Sequence, residues 1–264
     1  MDELRKPIFI VAIALIAVAF LLEIGSTAFL GSLKVSPPQL RKMADDELKK
    51  DEDFQDEDDR NDLLDDMEDE LADSREDNKP PGYGIPATAM LDVLLIYSVI
   101  WMGLSLVMPE RIQGRLQGIF SLILSILMLI ASVVVIIVSI ILLLVMVGLL
   151  FAFPFGTIIY MAVYGFFNRA TAGVILGWAM FFKLCFAVCL VFAHQGFLKN
   201  KGLILLTLSS ILATFLVSFL HNFVPTFLVS ITDIIGAIIV AVITLIWSIV
   251  LLIYGIIGIV KAIV

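Results

Sequence analysis

Long apolar runs alternate with short polar segments along most of the chain. Each run reaches about the 20 residues that an α-helix needs to cross the ~30 Å hydrocarbon core of a bilayer. The pattern therefore predicts an all-α, polytopic membrane protein with six transmembrane helices. The spans are predicted at about 8–33, 88–108, 119–152, 171–193, 203–221 and 227–260.

The third run is too long for a single straight span. Its length corresponds to roughly 50 Å of helix, and Pro154 follows where the run ends. Proline cannot continue the hydrogen-bond ladder of a helix, so we expect a break there. The next segment, 157–167, is short and rich in aromatic residues, which predicts a re-entrant or interfacial half-helix.

Composition supports the membrane assignment and localises the acidic charge. Apolar residues make up 61% of the chain and charged residues 16%, whereas soluble domains have about 45–50% and about 25%. The net charge of −8 is uneven, because the segment from Lys34 to Ala87 holds nineteen acids and eight bases. Three regions follow: an N-terminal signal-anchor helix (1–33), an acidic extramembrane loop (34–87) and a five-helix transmembrane bundle (88–264).

Basic residues near the span ends predict the orientation. With the N-terminus in the cytoplasm, seven lysines and arginines of the short loops and termini fall inside and only Arg169 falls outside. A seventh span at 157–167 would weaken this bias to five against three. The first apolar run is also longer than the core of a cleaved signal peptide. We therefore predict a cell-membrane protein with both termini cytoplasmic and the acidic loop outside.

The acidic loop admits three interpretations. It could be a solvated, partly disordered hairpin, a docking surface for a basic partner or a calcium site. The calcium loop that starts at Asp51 fails, because its sixth position is Asp56 instead of glycine and its twelfth is Asp62 instead of glutamate. The first two interpretations remain.

Some local structure is predicted within the loop. Apolar residues from Leu64 onward recur at helical spacing, which indicates a short amphipathic helix. Asn61 or Asp62 is its predicted N-cap. Turn-forming residues at 80–86 predict an irregular return to the membrane before the second span.

A few ionisable residues lie within or at the ends of the spans. A charge at the bilayer centre costs at least about 2.5–3.5 kcal/mol, so each should face protein or water. They could form a proton or cation relay, or a buried ion pair that fixes helix register, and His221 is a plausible partner of Asp233. The predicted intramembrane polar network consists of Lys183, Glu23, Asp92, Asp233 and His221.

Small and polar residues form stripes along several spans. Such stripes let helix backbones approach closely, within the chain or against a protein partner or a second copy. A water-lined path is the alternative. The stripes are Gly118, Ser125, Ser132 and Ser139; Gly173 and Gly177; Thr207, Ser210, Thr214, Ser218 and His221; and Asp233, Ala237, Ala241, Thr244, Ser248 and Gly255.

Catalytic, metal and cofactor signatures are not found in the sequence. His194 and His221 are predicted at opposite ends of neighbouring spans, roughly 25–30 Å apart, too far to share a metal or haem. Cys185 and Cys189 are predicted to be buried free thiols. No basic, aromatic face for nucleic acid is found either. We expect neither a cofactor nor enzymatic activity.

Two functions remain from different classes. The first is a non-catalytic subunit or scaffold of a membrane complex, whose acidic loop meets a partner outside. The second is a small channel or secondary transporter for protons or cations that uses Lys183 and the outer acids. Internal inverted repeats would support transport, and none is convincing.

Overall fold

The protein is an all-helical bundle in its computed structural model, which describes residues 2–29, 41–42, 45–46, 48–49, 56–66, 84–105, 107–152, 156–157, 159–160, 169–225 and 228–263. No strand occurs in these ranges. Six helices are long and apolar enough to cross a membrane, which confirms the predicted fold class. The main helices are α1 (Asp2–Phe29), α2 (Gly84–Leu104), α3 (Glu110–Phe151), α4 (Arg169–Ala193), the short α5 (Gln195–Lys199), α6 (Lys201–Phe223) and α7 (Val229–Ile263).

Two helices begin earlier than the apolar pattern predicts. Helix α2 starts at Gly84, so it includes part of the segment that was expected to be an irregular turn. Helix α3 starts at Glu110, where a polar connection was expected, and runs for 42 residues. The backbone hydrogen bonds of a helix can form through polar as well as apolar residues. At the N-cap of α3, the carbonyl oxygen of Pro109 accepts from the N–H groups of Ile112 and Gln113.

The six long helices alternate in direction. Gly84 at the start of α2 lies against Asp233 at the start of α7, whereas Gly103 at the other end of α2 lies against Phe9 of α1. We call the end where α1 and α6 finish and α2 and α7 begin the loop end, because the acidic loop follows α1. The opposite end, where α1 begins and α7 ends, is called the termini end.

Four helices enclose the centre of the bundle. Helix α1 contacts α2 and α4, and α6 contacts the same two helices. Their inward faces bury large apolar side chains such as Ile16, Leu91, Phe186 and Val217. Helix α7 packs outside this group against α2 and α6, and α3 packs along α7.

The packing of α3 on α7 explains the predicted stripe of small residues. A Cβ atom added at Gly255 would lie 3.1 Å from the backbone nitrogen of Leu122 and 3.2 Å from the carbonyl oxygen of Gly118. Ser132 and Ser139, further along the α3 stripe, are buried as well. This stripe therefore serves contacts within the chain and is not available to a second copy.

The glycine pair of α4 behaves differently. Gly177 is exposed, and a Cβ atom added there would meet no heavy atom within 4 Å. An added Cβ at Gly173 would approach only the side chain of Asn222, at 3.9 Å. The pair does not bring two described helices together, because the buried face of α4 carries Ala172, Leu176 and Ala179 instead.

The segment after Pro154 returns toward the bundle. Tyr160 is fully buried and packs with Met146 of α3 and Ile234 of α7. The hydroxyl of Thr157 donates to the carbonyl of Leu150. Most of the predicted half-helix, residues 161–168, lies outside the described residues.

Part of the acidic loop is ordered around a helix at residues 57–66. Asp56 caps it, since its Oδ1 atom accepts from the N–H of Asp58 at 3.1 Å. The predicted N-caps, Asn61 and Asp62, lie inside this helix, so that prediction is wrong. The helix starts earlier because Asp56 supplies the capping carboxylate one turn upstream. The predicted continuation of its apolar face beyond residue 66 lies outside the described residues.

Candidate functional site: a buried ionic cluster

Four helices each contribute polar side chains to one point in the bundle. Glu23 comes from α1, Asp92 from α2, Lys183 from α4, and Ser210 and Thr214 from α6. All five residues are completely buried, at 0% exposed surface. We call these five residues the ionic cluster.

Lys183 lies at the centre of the ionic cluster. Its Nζ atom is 2.8 Å from Glu23 Oε1 and 3.0 Å from Asp92 Oδ1. It also donates to Thr214 Oγ1 at 2.8 Å. An ammonium group has three N–H donors and no acceptor, and here three acceptors surround it. This geometry fits the charged form of the lysine.

Two hydroxyl groups of α6 connect the carboxylates to the lysine. Thr214 accepts from Lys183 and donates to Glu23 Oε1 at 2.9 Å. Ser210 donates to Asp92 Oδ1 at 2.7 Å. One oxygen of each carboxylate therefore accepts from the lysine and from a hydroxyl, so the cluster joins α1, α2, α4 and α6 by charge-assisted hydrogen bonds.

The ionic cluster contains more negative than positive groups. Two carboxylates accompany one ammonium, so the sum is −1 if all three ionise. The second oxygens, Glu23 Oε2 and Asp92 Oδ2, are buried and have no hydrogen-bond partner among the described residues. Because Glu23 Oε1 and Asp92 Oδ1 bind the same nitrogen, they lie within about 6 Å of each other. Like charges at that distance repel by about 3 kcal/mol at an effective dielectric of ~20.

A second polar contact lies at the loop end. The N–H of Gly84, the first residue of α2, donates to both carboxylate oxygens of Asp233 at 3.1 Å each. Nε2 of His221 lies 3.3 Å from Asp233 Oδ1, and Nδ1 of His221 lies 2.8 Å from the carbonyl oxygen of Val217. A carboxylate at a helix N-terminus satisfies a free N–H and complements the helix dipole.

Gly84 is required by this contact. A Cβ atom added there would lie 2.5 Å from Asp233 Oδ1 and 2.9 Å from the backbone oxygen of the same residue. Only glycine lets the start of α2 approach α7 so closely.

The predicted polar network therefore divides into two. Glu23, Asp92 and Lys183 come together, whereas Asp233 and His221 form the separate contact at the loop end. Asp92 lies eight residues along α2 from Gly84, which corresponds to about 12 Å of helix. Of the three carboxylates in the predicted network, the structure therefore brings two to Lys183 and leaves Asp233 at the loop end.

Sequence reasoning missed the roles of Ser210 and Thr214. They were interpreted as members of a small-residue stripe on α6, and this face does point into the bundle. The stripe ends at His221, another buried polar residue, so a line of hydrogen-bonding groups on one helix face was the available signal. His194 lies apart and caps α5, with its Nδ1 accepting from the N–H of Gly196.

Within the described ranges, no set of three or more histidine, cysteine, aspartate or glutamate residues could hold a metal ion. No protein-family model matches the chain, and no similar protein was found among curated sequences or solved structures.

Proposed function

We propose that this integral membrane protein is a non-catalytic subunit or scaffold of a membrane complex, and that its acidic loop binds a basic partner. The observation that carries the proposal is the ordered acidic surface at residues 57–66. This short helix exposes six acidic side chains, at positions 57, 58, 59, 62, 65 and 66.

Two ion pairs support an organised rather than a freely solvated surface. Arg60 is 7% exposed, and its Nε atom lies 2.8 Å from Asp45 Oδ1. Arg41 reaches Asp65 at 2.6 Å. A preorganised patch of one charge sign attracts an oppositely charged surface and raises the association rate.

The ionic cluster supports the scaffold proposal in a second way. It satisfies every donor of Lys183 within the chain and joins four of the six spans. A bundle fixed at this point would hold the loop end in one arrangement. Charged groups buried without a partner are costly in a bilayer, so these contacts favour a single packing of α1, α2, α4 and α6.

The proposal is tested by purifying the full chain in lipid nanodiscs and measuring the stoichiometry of any bound protein. The test variant replaces four exposed acids: Glu57→Gln, Asp58→Asn, Asp62→Asn and Asp66→Asn. We expect the wild type to retain a basic partner at fixed stoichiometry, the variant to lose it, and binding to weaken at high salt.

A matched control neutralises exposed charges at the termini end. Lys199→Gln and Lys201→Gln change two exposed side chains and leave the acidic loop intact. The control should keep the partner. Purification of the wild type without any stoichiometric partner, or equal retention by all three proteins, would contradict the proposal.

A second candidate, transport of protons or cations, is favoured by the charge imbalance of the ionic cluster. Ionisable groups deep in a membrane bundle are often part of a transport pathway. The matching experiment reconstitutes the wild type and Lys183→Met in vesicles and measures proton and cation flux. We expect no flux above protein-free vesicles. A flux through the wild type that is lost in Lys183→Met, with the variant still helical by circular dichroism, would favour a transporter over the scaffold.

A further inference from the structure

We propose that the ionic cluster is a proton-binding site, in which Glu23 and Asp92 together hold one proton while Lys183 stays charged. This inference concerns what the site binds and does not depend on the scaffold function. A tightly held proton is compatible with the absence of flux, so the two proposals can fail separately.

The first step is the charge of the lysine. Three acceptors lie at 2.8–3.0 Å from Nζ: Glu23 Oε1, Asp92 Oδ1 and Thr214 Oγ1. A neutral amine has only two N–H donors, so one of these three groups would have to donate to it instead, and the Thr214 hydroxyl already donates to Glu23 Oε1. The geometry therefore fits an ammonium, which contributes one positive charge.

The second step is the balance of charge. With the ammonium in place, two ionised carboxylates would leave an uncompensated negative charge where no side chain is exposed. Burial strongly disfavours such a charge, and the group takes up a proton instead. One proton on the pair makes the cluster neutral.

The shared proton can be located on the second oxygen of either carboxyl group. Oε1 of Glu23 and Oδ1 of Asp92 each accept two hydrogen bonds already. Oε2 of Glu23 and Oδ2 of Asp92 are buried and accept none from the described part of the chain. An unpartnered oxygen is the atom of each carboxyl that is free to carry a hydrogen.

A proton fits these oxygens better than a metal cation. A cation such as Ca²⁺ needs six to eight oxygen ligands, and only the two orphaned oxygens are without partners here. The described residues also contain no set of three or more histidine, cysteine, aspartate or glutamate side chains that could hold a metal ion.

Other charged groups of the described spans lie elsewhere. His221 and Asp233 form their own contact at the loop end. Arg115, Lys201 and Lys261 are exposed and lie near helix ends at the termini end. Within the cluster, the positive charge that faces Glu23 and Asp92 is Lys183, and Ser210 and Thr214 are neutral donors.

The test is infrared spectroscopy of the full chain in nanodiscs at neutral pH. A protonated carboxyl has a carbonyl stretch separate from that of a carboxylate, and ¹³C labelling of glutamate or aspartate identifies its residue type. We compare the wild type with Glu23→Gln and with Asp92→Asn. Each substitution removes one carboxyl, and the remaining one should then ionise beside Lys183.

The expected result is a protonated-carboxyl band, equivalent to one group, in the wild-type-minus-variant difference for both substitutions. Asp66→Asn, which changes an exposed acid of the loop, should give no such band. Subtraction cancels any protonated carboxyl outside the cluster. If one variant does not fold, the other and the labelled wild type still decide the result.

Three results would overturn the proposal. The band could be missing from the wild type, or one of the two single variants could keep it. The wild-type band could also appear only after sodium is removed, which would assign the site to a cation. Circular dichroism of each variant verifies that the helical bundle is intact before the spectra are compared.

Discussion

Replacing Lys183 by methionine should destabilise the bundle strongly. The substitution keeps an unbranched side chain of similar length but removes the donor that Glu23, Asp92 and Thr214 share. Two fully buried carboxyls then face each other without a counter-charge. Removing one partner of a buried ion pair typically costs about 3–5 kcal/mol, because the remaining charge is left buried without a counter-charge.

The assay is reversible unfolding of the reconstituted protein, compared among four proteins. Besides the wild type and Lys183→Met, it includes the neutral triple variant with Glu23→Gln and Asp92→Asn added. This variant should recover most of the loss, because replacing all buried charges together leaves none without a partner. Lys199→Met, an exposed position, is the matched control and should change stability by less than about 0.5 kcal/mol.

Two results would contradict an electrostatic origin of the stability. If Lys183→Met is as stable as Lys199→Met, the contacts in the ionic cluster do not hold the bundle together. If the triple variant is no more stable than Lys183→Met, lost packing at the lysine side chain, rather than stranded charge, explains the effect. Either result would refute the electrostatic account of the cluster.

Three further predictions concern other parts of the chain. Cysteines introduced at Asp58 and Gln113 and treated with an impermeant reagent on intact cells should be labelled only at position 58; labelling at 113 would reverse the predicted orientation. Gly255→Val should separate α3 from α7 and lower stability by about 1–3 kcal/mol, whereas Gly148→Val, with open space around it, should be nearly neutral in the same unfolding assay. A hydrogen bond from the Lys49 ammonium lowers the pKa of Asp45 below its ordinary value of 3.8. The ion pairs of Asp45 with Lys49 and Arg60 should therefore persist as the pH falls and be lost only below pH 3.8. Amide exchange of residues 57–66 measures this loss, and a transition well above pH 3.8 that Asp45→Asn removes would contradict it.

The number and approximate position of the spans could be predicted because each depends on a local property, apolar length. The helix ends could not, since hydropathy detects the membrane part of a helix and not its continuation. The first residues of α3, from Glu110 onward, are polar but still helical, and α2 begins at Gly84, within a segment of turn-forming residues.

The charged residues of the candidate site were predictable, but its two hydroxyl groups and its pairing were not. Charged residues are rare within the apolar runs, and a charge inside the membrane needs a partner. Lys183 and the acidic residues could therefore be identified from the sequence. Which acidic residues pair with Lys183 depends on how the helices are arranged around the bundle, and no single segment of the sequence contains this information. Asp233 was grouped with Lys183 for that reason, although it lies on α7, outside the central four helices.

The order of the cluster residues along the chain has a consequence for biosynthesis. Glu23 and Asp92 are translated before their counter-ion, and Lys183 follows Glu23 roughly 160 residues later. At ~5–20 residues per second, the first glutamate waits about 8–30 s for the lysine. A nascent chain that stops before α4 therefore carries two acids without their cation into the bilayer. The counter-charge is therefore in place only after α4 has been made, and the hydroxyl donors of the cluster follow with α6.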